Sequence, residues 1–239
     1  MQASFEQFCQ RTGLRRSLLV VAPHPDDETI GCGGLLALAG LAGMHTVVVV
    51  LTDGAASHPG SRTWPAARIA DQRKREATRA AEILAVSEPP LFLGLPDSRT
   101  QMLHEMHRRS ACQQLAAALL HHRAEVVLTT WRREPHCDHR FAYELTRDAV
   151  RGAATGATIV EYIVWADLIG APDDRLQPGE MESLELDIST VRARKRVALA
   201  AHRSQLGRLI RDDPAGFNLT RAHLKAMTGG FEHYALPRS

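Results

Sequence analysis

The sequence is poor in the features that mark specialised protein classes. Aromatic residues make up only 5% of it, too few for the stacking platforms of single-stranded nucleic-acid binders. Neither sign of charge dominates. Lys and Arg number 29 against 27 Asp and Glu, a net charge of +2, so no bulk field draws in nucleic acid or an anionic membrane. The four cysteines, Cys9, Cys32, Cys112 and Cys137, form no CxxC pair. That excludes a zinc knuckle and a thioredoxin-like motif, and four in so long a chain are too sparse for a disulfide scaffold. The apolar run 35–44 is too short to span a bilayer. Residues 1–16 are polar and lack the apolar segment of a secretory signal. These absences predict a cytoplasmic protein with reduced thiols, no membrane span and no nucleic-acid partner. Internal repeats and low-complexity tracts are also missing.

What remains is 239 residues of ordinary globular composition, 44% hydrophobic, enough for one α/β domain over 1–239. Apolar runs at 18–22 and 46–51, and β-branched runs at 125–130 and 158–165, read as strands buried on both faces. A short strand at 91–93 joins them. Between them, 33–43, 66–85, 103–122 and 140–152 read as helices. This alternation predicts a Rossmann-like, doubly wound, mainly parallel sheet flanked by helices. The stretch 167–182 reads as a surface loop and 184–188 as an edge strand. Ser189 reads as the cap of a helix reaching about residue 204. The tail 206–239 is weakly patterned, with a helix at 220–227.

Two constellations carry chemistry. Pro23-His24-Pro25-Asp26-Asp27-Glu28 follows the first strand, where open α/β sheets bind ligands. One imidazole and three carboxylates within five residues suit Zn²⁺ or a similar divalent ion, with Fe²⁺ an alternative. The prolines stiffen the turn. Glu134-Pro135-His136-Cys137-Asp138-His139 follows the strand at 125–130 and brings two more imidazoles to the same end of the sheet. Two histidines and one aspartate leave a position open for water, as in catalytic rather than structural zinc sites. Asp138 is placed to orient one imidazole, and Asp53, closing the second strand, to brace the loops. Gly31, Gly33 and Gly34 also raise a dinucleotide-binding turn, with Asp53 on a ribose. However, no GxGxxG hexapeptide occurs, and the glycines suit close helix–sheet packing beneath the site.

Together these motifs resemble the LmbE-like, or PIG-L, zinc-dependent N-deacetylase family. Residues 23–28 resemble its (P/A)HPDDE signature and 136–139 its HxDH signature. Weaker likenesses are Thr52-Asp53-Gly54, Arg73-x-x-Glu76, Gly94-Leu95-Pro96-Asp97, and a late helix bearing Lys195, Ala198, His202 and Gln205. The likeness runs over about 18–205, with 206–239 as a C-terminal extension. It implies metal ligation by His24, Asp27 and His139. It implies Asp26 as general base, and His136, protonated, as the group that stabilises an oxyanion or protonates the leaving amine. It implies that Arg73 and Asp97 hold substrate hydroxyls, and that the reaction removes acetyl from an N-acetylglucosamine-type sugar or glycoconjugate.

There are departures from the family pattern. Cys137 stands where proline is usual, and 131–135 replaces a stretch that carries a mobile tyrosine in some relatives. Trp131, Arg133 and Glu134 then become candidates to shape the entrance, while His202 and Gln205 are expected behind the site. The segments 55–65, 167–182 and 206–218 are expected to set substrate choice. His45, His58, His104, His107, His121, His122, His223 and His233 belong to no motif and are expected at the surface or in packing. The alternatives are a metal hydrolase of a non-sugar amide or ester, and an inactive sugar- or metal-binding module. The oligomeric state stays open, a homo-oligomer included.

Overall fold

A computed structural model describes residues 1–238. The strands are β1 (Gln2–Ala3), β2 (Ser17–Ala22), β3 (His45–Thr52), β4 (Leu91–Leu95), β5 (Val126–Thr130), β6 (Thr158–Tyr162), β7 (Glu182–Asp187) and β8 (Phe231–Leu236). The helices are α1 (Phe5–Thr12), α2 (Asp27–Leu41), α3 (Ala66–Ile83), α4 (Glu105–His121), α5 (Cys137–Ala153), α6 (Ala166–Ile169), α7 (Arg192–Ala201) and α8 (Arg221–Met227). All eight strands join one sheet in the order β1-β7-β8-β6-β5-β2-β3-β4. The stretch from β6 to β4 is parallel throughout, the doubly wound arrangement. Only β8 runs against its neighbours β6 and β7.

The central strands are buried on both faces, and their side chains divide with a period of two. Leu18, Val20, Val48, Val50, Val126 and Leu128 face one core, shared with α2, α7 and α8. Leu19, Val21, Val47, Val49 and Val127 face the other, shared with α4 and α5. The chain reverses its progression across the sheet between β2 and β5. The loops leaving those adjacent strands open a crevice at their carboxyl ends. Both motifs lie on those loops.

Several elements differ from the expectation. Helix α2 begins at Asp27, six residues before the apolar run at 33, because the motif's carboxylates occupy its first turn. Tyr162 ends β6, and 163–165 turn into α6, so the run to 165 is only partly strand. Strand β7 is interior, covered by the two-residue β1. Ser189 caps nothing: α7 starts at Arg192 and stops at Ala201, before a 3₁₀ turn over Arg203–Leu206. The tail supplies the interior strand β8.

The glycines of α2 do allow close packing. A Cβ on Gly31 would stand 2.2 Å from the Tyr162 ring, and one on Gly34 would stand 2.4 Å from Ile188 Cγ2. A buried ion pair is laced into the same helix. Lys195 Nζ donates to Ile30 O and to Glu232 Oε1, while Glu232 accepts from the N–H groups of Gly34 and Leu35. Lys195 and Glu232 thereby join α7, β8 and α2 directly behind the first motif.

Candidate active site

The turn after β2 is tightly wound. The N–H groups of Asp26 and Asp27 both donate to His24 O, and Asp26 N–H also donates to Glu28 Oε2 at 3.1 Å. This winding folds Asp27 back over His24. Asp27 Oδ2 accepts from His24 N–H at 3.0 Å and lies 3.1 Å from His24 Nδ1. The same oxygen lies 3.2 Å from Nε2 of His139, in the first turn of α5. One carboxylate oxygen therefore sits between two imidazole nitrogens from the two motifs.

Each imidazole carries a second carboxylate on its other nitrogen. Nε2 of His24 lies 3.0 Å from Asp138 Oδ2 and 3.2 Å from Asp97 Oδ1. Nδ1 of His139 lies 3.3 Å from Glu134 Oε2, close enough for an ion pair but not aligned as a hydrogen bond. Asp138 is itself fixed by the Ser98 N–H and the Thr100 hydroxyl. Carboxylates behind ligating histidines orient the rings and raise their basicity.

Two of the separations among these atoms are those found between metal ligands. Four ligands at Zn–N and Zn–O distances near 2.0–2.1 Å, arranged tetrahedrally, stand about 3.3 Å apart. The contacts of Asp27 Oδ2 with the two histidines, 3.1 and 3.2 Å, match that separation. Burial opposes charge on His139, yet Asp27 and Glu134 lift its pKa to about 9. His24 is likewise raised, against its burial, by Asp138, Asp27 and Asp97. The carboxylates thus hold positive charge where a dication would sit. By donor type and by the two contacts of Asp27, His24, Asp27 and His139 suit such an ion, and His136 joins His24 and His139 in a group whose donor atoms all lie within 4.8 Å of one another.

Asp26 points elsewhere. Its Oδ1 accepts from Arg73 Nη2 at 3.0 Å. Arg73 also grips Pro25 O and Gly54 O. Burial pushes the Asp26 carboxyl up to about 7, against the pull of Arg73. A carboxylate poised near neutrality suits general-base work. His136 caps α5: its Nδ1 accepts the Asp138 N–H at 3.2 Å, which leaves the proton on Nε2. Burial, then the charges of His24 and His139, lower its pKa to about 4. Both features favour the neutral ring, with its proton on Nε2, over the protonated form that the resemblance implies.

His24, Asp26, Asp27, Arg73, Asp97, His136 and His139 line one cavity that is open to solvent. Asp97 reaches it with its oxygens already engaged, by His24, by the Ser98 hydroxyl and by the Ala56 N–H. Burial raises and His24 then lowers its pKa, to about 2. Asp53 Oδ1 accepts from the N–H groups of Ala55 and Asp97, joining two loops beside the cavity.

Other residues fall outside the expected places. Glu134 and Trp131 are wholly buried and do not shape the entrance. Glu134 accepts the N–H groups of Val164, Trp165 and Ala166, and so pins the loop before α6 beside His139. The Trp131 indole donates to Asp174 O. Arg133 reaches away to Glu180 and the carbonyls of Asp173 and Arg175. Gln205 lines the cavity rather than standing behind it, as do Trp165 and Phe217. His202 is buried behind, its Nε2 3.2 Å from Thr29 Oγ1. Glu134 had a visible signal, two residues before His136. Phe217 had none.

Fold and site together define a class, a doubly wound α/β protein with a buried histidine–carboxylate centre at the carboxyl ends of its strands. The chain matches the model of the GlcNAc-PI de-N-acetylase (PIG-L) family over residues 19–150 and belongs to that family. The family and its homologues are N-deacetylases, hydrolases of amides. The chain is 29% identical to a 1D-myo-inositol 2-acetamido-2-deoxy-α-D-glucopyranoside deacetylase of Nocardia farcinica, over 79% of this chain and 80% of that one. Its fold resembles that of Dbv21, the deacetylase of the A40926 pseudoaglycone. The TM-score is 0.68 at 22% identity, covering 95% of this chain and 97% of that one. A similar fold occurs in GalB, the 4-carboxy-2-hydroxymuconate hydratase of Pseudomonas putida KT2440. There the TM-score is 0.65 at 21% identity, over 94% of this chain and 98% of that one. Fold alone therefore does not choose the reaction, and the site must.

Proposed function

We propose that this protein is a metal-dependent deacetylase that removes the N-acetyl group of an N-acetylglucosamine-type sugar or glycoconjugate. The observation that carries the reading is one buried carboxylate, Asp27, held between His24 and His139, with a second, Asp26, beside it and turned to Arg73. Adjacent residues thus hold two different tasks.

His24, Asp27 and His139 would hold the ion, Zn²⁺ by the character of the donors. When bound, it supplies Lewis acidity toward the amide carbonyl and acidifies water. Asp26 accepts the proton of the attacking water. Arg73 fixes the carboxylate's direction and keeps it from being protonated too readily. His136 Nε2–H donates to the oxygen of the tetrahedral intermediate as its charge develops. The proton held by Asp26 passes to the departing amine, and acetate leaves.

Arg73 Nε and Gln205 Oε1 are buried without partners. An orphan donor and an orphan acceptor on lining residues favour a hydroxyl-rich ligand. Trp165 and Phe217, edge to face with centroids 5.9 Å apart, give the cavity an apolar part suited to a sugar face or an attached group. The test is acetate release from a panel of N-acetylated aminosugars, by metal-loaded and by chelated protein. The loaded protein is expected to release acetate from at least one sugar and the chelated protein from none. Cleavage of non-sugar amides alone would overturn the sugar assignment, and binding without any turnover would overturn the enzyme.

A further inference from the structure

Three side chains that belong to no motif meet at the other end of the sheet. His45 opens β3, His122 caps the end of α4, and Glu88 lies in the turn before β4. His45 Nε2 lies 3.0 Å from His122 Nδ1. Glu88 Oε1 lies 3.6 Å from the first nitrogen and 3.9 Å from the second. The nearest point equidistant from these three atoms, in their common plane, stands about 2.1 Å from each, the bond length of Zn²⁺ to imidazole and carboxylate. We propose that His45, Glu88 and His122 form a second divalent-metal site, selective for borderline first-row ions such as Zn²⁺ or Ni²⁺.

The backbone holds these donors in place without help from the ion. Ser87, next to Glu88, is clamped to Thr46, next to His45. Its N–H reaches Thr46 Oγ1, and Thr46 N–H donates to Ser87 Oγ at 2.9 Å. The N–H of His45 donates to Arg16 O at 2.7 Å. His122 donates its N–H to Ala118 O and accepts the Ser17 hydroxyl on its carbonyl. Its ring packs edge-on against His121, with centroids 4.7 Å apart.

The site is not an annex of the active site. The eight residues of β3 separate His45 from Thr52, beside the first motif, by about 23 Å at 3.3 Å per residue. His45 and Glu88 are partly exposed, so an ion can enter. A bound ion would tie the start of β3, the turn before β4 and the end of α4 together, with water in its remaining position.

The experiment counts Zn²⁺ bound by the full chain after chelation, by competition with a chromogenic chelator at micromolar free metal. It compares wild type with the double variant His45→Gln/Glu88→Gln. The variant is expected to bind one equivalent fewer, and its melting temperature to lose a zinc-dependent rise that wild type shows. Equal stoichiometry in the two proteins would overturn the site. Its outcome does not depend on the active-site reading, because a His139→Ala protein should still lose one equivalent when His45→Gln/Glu88→Gln is added. Matching metal-free melting temperatures of wild type and double variant exclude misfolding as the cause. Mg²⁺, which prefers oxygen ligands, should not produce the rise.

Discussion

Asp26 and Asp27 share a chemistry and differ in their neighbours, and that difference divides their work. Asp27 is bound to two imidazoles, while Asp26 is bound to a guanidinium. Asp26→Asn should therefore retain metal and lose turnover by about 10²–10⁴-fold, the usual worth of a general base. Metal content measured beside acetate release checks this, and loss of both together would place Asp26 in the ligand set instead. Arg73 favours the ionised form of Asp26. Removing its charge raises the Asp26 pKa, so a higher pH is needed to ionise the base. The acid limb of kcat/KM in Arg73→Gln should move to higher pH, and an unmoved limb would deny the pairing a role in the reaction. His136 donates through Nε2 as a neutral ring. His136→Ala should lower kcat by about 10²–10³-fold, the cost of one oxyanion donor, with little change in KM.

At the scale of elements, what could be read from sequence was what local pattern dictates. β2, β3 and β5 are covered on both faces, so each appears as an unbroken apolar run. The two motifs are contiguous and sit on loops that those strands present. What was hidden depends on distant partners. Strand β8 contains Glu232, a charge that reads as surface but is buried against Lys195 and α2. The start of α2 was masked because Asp27 and Glu28, which look like loop residues, serve the site from a helical turn. Glu134 orders residues 164–166 some thirty positions later, and no spacing rule reveals that. The ion pair behind α2 invites a stability test. Lys195→Met leaves Glu232 as an unpaired buried charge and should cost about 3–5 kcal/mol. Urea unfolding measures it, and a loss under about 1 kcal/mol would mean that the N–H groups of Gly34 and Leu35 suffice for Glu232.

At the scale of the whole molecule, the charge of the active site couples metal, proton and fold. Without a metal, His139 holds its proton up to a pKa of about 9, and His24 is raised as well. Ligation displaces those protons, so metal affinity should rise with pH by about tenfold per unit for each proton released. Titrations between pH 6 and 8 check the slope, and a flat line would exclude these two imidazoles as ligands. The position of β8 has a consequence of another kind. Residues 231–236 follow β6 and β7 in the sequence, yet they lie inside the sheet between those two strands. While the chain is still growing, those two neighbours stand with open edges, and Lys195 waits for Glu232. Assembly of this half of the molecule therefore waits for residues 231–236, and the unpaired edges of β6 and β7 are where a stalled or clipped chain would self-associate.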